Sequence, residues 1–440
     1  MKIIKNGTVL TLDEGNPVIY QGAVAIKGSS IAAVGKDQDI LNQYPRAQVI
    51  DARGGLIMPG MINTHTHMYS AFARGMAIPG YNPRDFQDIL RGLWWRLDKV
   101  LTPQDNYYSG LVTGIEAIKN GTTTLLDHHA SPHAVEGSLD ELARACTQLG
   151  LRASLCYEVS DRDGAEIAQA GIQENLRFAQ WCQREQPELL AFSFGLHASF
   201  TLSDATLAAC AEAAGEVGFH IHTAEGVSDR EHSIEKYGLP VVHRLDKFGI
   251  WNPRSLAIHC VHVDGEEMDL LKERDVSVVH NPESNMGNAV GRADVLTMQN
   301  KGLRVGLGSD GFSTDMFEGI KVANLIHKHS TGNPTAAGGE IPAMVFANNG
   351  EIASRHFGKP VGRLLPGWQA DIIVVDYSPY TDLSSDNWFS HILMGVSGGM
   401  VRMTMVAGRV LMEDRVLTTV DQEEVYQRAR TQAQAVWTRI

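Results

Sequence analysis

Residues 56–67 read LIMPGMINTHTH. An apolar run with one Pro-Gly step leads into Asn63, Thr64, His65, Thr66 and His67. A run this short, apolar on consecutive positions and closed by polar residues, predicts a strand buried on both faces. Residues two apart on a strand share a face, so the imidazoles of His65 and His67 leave the strand end together. Two imidazoles so placed can bind one divalent ion, zinc and iron being suited to such donors. A pair of histidines hydrogen-bonded within the core is the plainer alternative, and the position at the end of a buried strand favours the metal.

Seven further runs of the same kind follow, at 122–129, 152–159, 190–197, 219–225, 256–262, 276–281 and 305–310. Helical signals separate them. Thr102 is an N-cap followed by proline at the first helical position, Ser203 opens an Ala-rich run, and 172–184 has helical periodicity. Eight β/α alternations predict an α/β chain of the (β/α)8 barrel type, with its chemistry at the C-terminal ends of the strands. Six of the eight runs end in His, Glu or Asp, so polar residues collect where such a barrel opens. The terminal stretches read differently. Residues 1–55 alternate short β-like runs with turns at Asn6-Gly7, Gly15-Asn16 and Gly28, and 371–376 and 402–411 repeat that texture. This predicts a composite, sandwich-like small β-domain from 1–55 and 365–440, with a C-terminal helix, and the barrel over 56–364.

The composition sets limits. Lys and Arg number 38 against 51 Asp and Glu, a formal charge of −13, which leaves no basic footprint for nucleic acid. No uninterrupted apolar run is long enough to span a bilayer, and the N-terminus has no signal-like apolar segment. Five cysteines without CxxC spacing predict buried free thiols and a cytoplasmic location. A homo-oligomer, dimer or higher, is expected.

The other strand ends extend the metal reading. His220 and His222 share a face in HIHTAE, and His222, nearer the strand end, is favoured as a ligand. Glu225 follows, placed either to shuttle protons beside an activated water or merely to sit in a helix's first turn. The sixth run closes with His259-Cys260-Val261-His262. Asp310, in GSDG, offers a hard anionic ligand or, alternatively, an ordinary Asp-Gly turn. Three imidazoles and one carboxylate leave an open position on a divalent ion, the make-up of a catalytic site.

Together, His65-x-His67, His222-x-x-Glu225, His259 and Asp310, with the surrounding PGMINTHTH, HTAE, HNPESN and LGSDG, resemble the amidohydrolase superfamily. More closely they are similar to its aminohydrolase branch, which includes guanine deaminase and the triazine chlorohydrolases. The stretch LWWRLDKVLTPQDNYYSGLVTGIEAIKNGTTTLLDHHASP resembles the SsnA group, associated with selenium and purine metabolism. The resemblance implies one divalent ion, zinc or iron, held by His65, His67, His222 and Asp310. It also implies Glu225 as proton shuttle and His259 against the substrate or the hydrolytic water. The fourth run, LAFSFGLHA, has no lysine that could bridge two ions.

Around that centre, His197, Arg74, Trp94, His128 and Asn285 are candidate substrate contacts. Arg74 is placed to meet a carbonyl or an anionic ring. Of the adjacent Trp94 and Trp95, one is expected to stack and the other to enter the core, and one of His128 and His129 is expected to be structural. Asn285 is read as shaping its loop first and touching substrate second. The activity expected is hydrolytic removal of an exocyclic amine from a small, neutral-to-anionic purine- or pterin-like ring. Alternatives are hydrolytic opening of a cyclic amide or amidine, and a catalytically silent metal-binding scaffold of a redox assembly.

Overall fold

A computed structural model describes residues 1–440 except 14 and 16, so the turn expected at Gly15-Asn16 reaches outside the described residues. The strands are β1 (Lys2–Leu10), β2 (Val18–Lys27), β3 (Ser30–Lys36), β4 (Gln48–Asp51), β5 (Leu56–Pro59), β6 (Met61–Thr66), β7 (Thr122–Asp127), β8 (Arg152–Leu155) and β9 (Leu190–Phe192). They continue with β10 (Phe194–Ala198), β11 (Phe219–Thr223), β12 (Leu256–His259), β13 (Ser277–His280), β14 (Arg304–Leu307), β15 (Ile372–Val375), β16 (Val401–Val406), β17 (Arg409–Glu413) and β18 (Val416–Leu417).

The central strands form two parallel sheets, β6-β7-β8-β9 and β10-β11-β12-β13-β14. Their edges meet through parallel bridges at Val159–Leu196 and Thr66–Asp310. Nearly every residue of these strands is buried, as expected where helices cover the outer face and side chains fill the inner one. The helices between them carry the start signals read from sequence. Thr102 and Asp105 form a capping box at the start of Pro103–Lys119, with proline in its first turn, and Ser203 caps Asp204–Ala214 through the Thr206 amide. The helix over 172–184 extends to Ala165–Glu185.

Strands from the two chain ends hydrogen-bond into one nine-stranded sheet, in the order β18-β17-β16-β15-β5-β1-β2-β3, with β4 pairing β1. The single strand expected over 56–67 is therefore two. β5 pairs antiparallel with β15 and parallel with β1, whereas β6 pairs with β7. Gly60 marks the break, because a Cβ there would stand 2.2 Å from the Thr123 side chain. The run at 190–197 is likewise divided at Ser193 between the two parallel sheets. A bidentate ion pair, Arg152 Nε–Asp371 Oδ2 at 2.8 Å and Nη2–Oδ1 at 3.1 Å, ties β8 to the terminal sheet deep in the interior. Among the described residues no helix is long and apolar enough to cross a membrane.

Candidate metal centre and catalytic pocket

The ends of β6, β11 and β14 bring four donors together. His67 Nε2 lies 3.2 Å from His222 Nε2 and 3.0 Å from Asp310 Oδ1, and His65 Nε2 is 3.7 Å from the same oxygen. Each imidazole is held from behind. His67 Nδ1–H donates to the His128 carbonyl at 2.6 Å and His222 Nδ1–H to the His197 carbonyl at 2.8 Å. His65 Nδ1 meets His220 Nε2 at 2.8 Å, so His220 supports a ligand candidate from behind. Spending the Nδ1 protons on these partners leaves each Nε2 with its lone pair turned inward, as outer partners of metal-bound histidines do. His65 Nε2 is buried without a hydrogen-bond partner, a costly state unless a cation takes it up. Ligand nitrogens around a tetrahedral ion with bonds of about 2.0–2.1 Å stand about 3.3 Å apart, close to the spacing of His67 and His222. The donor set fits one divalent ion.

Asp310 reaches this position through an unusual backbone. Its φ is +57° and that of His259 is +71°, the left-handed region that non-glycine residues seldom occupy. The Asp310 amide donates to the His65 carbonyl at 3.0 Å, locking the turn after β14 onto β6. Ser284 donates from its hydroxyl to Asp310 Oδ2. His259 Nε2, also buried without a hydrogen-bond partner, stands 3.5 Å from Glu225 Oε2 and 3.7 Å from Asp310 Oδ2. Glu225 comes before Gly226, the N-cap of the helix Val227–Tyr237, so it lies outside the helix's first turn and its side chain lines the pocket.

Burial drives most of the protonation states. It brings His65 down to about 3 and holds His222 well below the usual range, leaving both neutral and able to ligate. Burial also opposes charge on His67, but the hydrogen bond and charge of Asp310, with Glu158 behind, outweigh it and raise His67 to about 9. The pocket therefore attracts a positive charge at this spot, which a divalent ion supplies in place of the proton. Asp310 stays well below the carboxylate range because His65 and His67 overcome its burial. Glu225 moves the other way: burial, then the nearby Asp310 charge, hold it well above, the condition of a group that can carry a proton.

A cleft opens over this centre. His197 and Trp94 line it, and so does Trp95. Both indoles reach the cleft and Trp94 packs against the core as well, so the two are not divided between cleft and core as expected. Three other expected contacts do not line it. Arg74 is 71% exposed and pairs with Glu116 at 2.7 Å on the far side of Trp94. His128 directs Nε2 at the carbonyls of Leu196 and His220, 3.1 and 3.0 Å away. Asn285 Oδ1 accepts from His259 Nδ1 at 2.7 Å, so it orients that imidazole with its Nε2 facing the pocket. His129 is also turned away, with Nε2 2.9 Å from Ser131 Oγ.

The cleft contains residues the motif reading passed over, chiefly Glu158, Asp98, Ser284 and Asn288. A signal for Glu158 existed, since it follows β8 as Glu225 follows β11. With the run read as 152–159, its last residue is Val159 and Glu158 falls inside it. Asp98 opens the 3-10 turn Asp98–Val100, and nothing in the local sequence marks it.

The amidohydrolase family model matches residues 56–411, and the chain belongs to that family. Within the family it stands in an aminohydrolase branch. It is 34% identical to the 5'-deoxyadenosine deaminase of Methanosarcina mazei, over 100% of this chain and 99% of that protein. It is 30% identical to the 5-methylthioadenosine/S-adenosylhomocysteine deaminase of Acetivibrio thermocellus, over 96% of each. In fold it is similar to a crystal structure of an adenosine deaminase from Xanthomonas campestris with bound zinc. The TM-score is 0.89 at 24% identity, covering 99% of this chain and 98% of that one.

Proposed function

We propose that this chain is a mononuclear metal-dependent aminohydrolase that deaminates a purine-like ring, converting a ring C–NH2 and water into C=O and ammonia. The observation that carries the reading is the approach of His259 Nε2 to both Glu225 Oε2 and Asp310 Oδ2, beside the His65, His67, His222 and Asp310 donors. When bound, a divalent ion supplies Lewis acidity that brings the pKa of a coordinated water toward 7. Glu225 takes the water's first proton and delivers it to a ring nitrogen, then relays the second, from the O–H on the attacked carbon, to the departing amine as the C=O forms. His259, its Nδ1–H held by Asn285, offers Nε2 as an acceptor that orients the attacking O–H. Trp94 and Trp95 supply faces on which a flat ring stacks.

The reading takes the ion as single, since among the described residues no lysine lines the cleft, and as zinc from the three-imidazole, one-carboxylate donor set. It takes the two parallel sheets as arcs of one (β/α)8 barrel over 56–364, with β9 and β10 sharing the fourth position, supported by the two edge bridges. The terminal sheet then serves as the small domain of 1–55 and 365–440, curled around Ile4, Val24, Ile57, Ile372 and Met403. Five buried free cysteines support a cytosolic setting, and residues 93–132 support a place in the SsnA group. Homo-oligomerisation is checked by light scattering.

The test is ammonia release by metal-loaded protein from adenosine, 5'-deoxyadenosine, guanine and pterin. At least one should be deaminated, with about one equivalent of metal per chain. No release from any of them, or two ions per chain, overturns the reading.

A further inference from the structure

Five carboxylates line the cleft, Asp98, Glu158, Glu225, Asp229 and Asp310, and among the described residues no Lys or Arg does. Asp310 and Glu225 belong to the reacting centre, and Asp229 is spent on the backbone amides of Ala224 and Phe200, both at 3.0 Å. Asp98 gives Oδ2 to the Arg162 guanidinium, which lies 5.3 Å from the Trp95 ring centre, and its unpartnered Oδ1 is fully enclosed, out of a ligand's reach. That leaves Glu158.

Its side chain is 4% exposed. Oε2 faces His128 Nδ1 at 3.3 Å. Oε1 has only distant cations and donors, His197 Nε2 at 3.8 Å and Arg162 Nη2 at 3.9 Å. A carboxylate oxygen this buried is strongly stabilised by a donor at hydrogen-bond distance, and the protein supplies none. Glu158, His197 and His222 each place a polar atom within 4.8 Å of the others. A Glu158 carboxylate oxygen therefore stands within one ring's width of the metal-ligand candidate His222. The backbone holds it there, because the Glu158 amide donates to the His129 carbonyl at 2.7 Å and Val159 bridges Leu196.

We propose that Glu158 is a specificity-determining residue whose Oε1 accepts from an N–H on the edge of the bound ring. The chain thereby selects flat heterocycles that carry ring or amino N–H donors besides the amine removed. A ring stacked on Trp94 or Trp95 presents its edge, not its face, to this wall. The acidic lining sets an anionic ring at a disadvantage, which reverses the neutral-to-anionic expectation built on Arg74. The inference rests on the pocket being the deaminase site proposed above.

The test uses two probes of one outline, 2-aminobenzimidazole with an N–H edge and 2-methylbenzoxazole without one. Binding to metal-loaded protein is read from quenching of indole fluorescence. Wild type should prefer 2-aminobenzimidazole by about tenfold or more, the worth of a charge-assisted hydrogen bond. Glu158→Gln, checked for unchanged metal content, should reduce the preference to about threefold or less. Glu158→Asp, which keeps the charge against His128 but withdraws it from the cleft, should also weaken it. Equal binding of the probes by wild type overturns the proposal whatever the variants do, and so does a full preference in Glu158→Gln. Donor preference without ammonia release from any ring instead sinks the deaminase reading. Ammonia release without donor preference sinks only the role of Glu158.

Discussion

The terminal sheet and the mouth of the parallel strands are both buried and both built from strands, yet they handle polar atoms in opposite ways. In the sheet, Ile4, Val9, Val24, Ile57, Ile372 and Met403 fill the interior. No side chain on its strands belongs to the buried polar atoms that lack a hydrogen-bond partner, among the described residues. At the mouth, His65 Nε2 and His259 Nε2 are buried without one. Positive φ occurs in both regions, at Ala224, His259, Cys260 and Asp310 in the mouth and at Asn6 and Gln21 on the sheet's strands, so the difference lies in the polar atoms. The mouth keeps unmet lone pairs that a cation and a substrate then satisfy, as functional sites commonly do at some cost in stability.

Substitutions in the two regions should therefore fail differently. The largest effect is expected from removing the ion. Chelation, or His67→Ala, should bring ammonia release to background and lower Tm, since an ion bound only by the folded state stabilises it; far-ultraviolet circular dichroism should remain near that of the native fold. Residual full activity after verified metal removal contradicts the mouth's role. Glu225→Gln keeps shape but cannot shuttle protons, so kcat should fall about 10²–10⁴-fold with metal content intact. A near-normal kcat would leave Glu225 a bystander.

Core substitutions should produce the reverse pattern. Arg152→Met strands Asp371 in the interior and should cost about 3–5 kcal/mol of stability. Met403→Ala should cost about 2–5 kcal/mol through lost burial and a cavity. Both are read by urea unfolding, with kcat per folded molecule unchanged. A large change in kcat from Met403→Ala would mean the sheet is not merely structural. The smallest effect is expected at Arg74→Met. Its side chain is exposed and paired with Glu116, a surface ion pair worth about 0–1 kcal/mol, so kcat/KM should stay within about twofold. A drop of tenfold or more would restore Arg74 to the substrate.

The comparison also separates what could be read locally from what could not. His65 and His67 were legible as a pair because a strand's period of two is a local rule, and the capping box at Thr102 and Asp105 because a helix start is set within four residues. Trp95, Arg74 and Asn285 were not. Trp95 packs beside His197 and Phe200, about 100 positions later, Arg74 is held by Glu116, 42 positions away, and Asn285 by a histidine 26 positions before it. Each contact was chosen by a partner remote in sequence.

By itself, the sequence determined which residue types stand at the strand ends: the paired imidazoles, the Glu after His222 and the Asp before Gly311. These follow from short-range periodicity and from runs that must be buried. Only the tertiary structure decided which atoms of those residues meet. Beyond the last ladder bond of a strand, one or two backbone dihedrals aim the side chain, and neighbouring strands set them. The turn that brings Asp310 to His67 is held by the His65 carbonyl, on a strand some 240 positions earlier. Glu158 shows the same limit from the other side, since its Oε1 is defined by the absence of a close donor, and an absence has no motif.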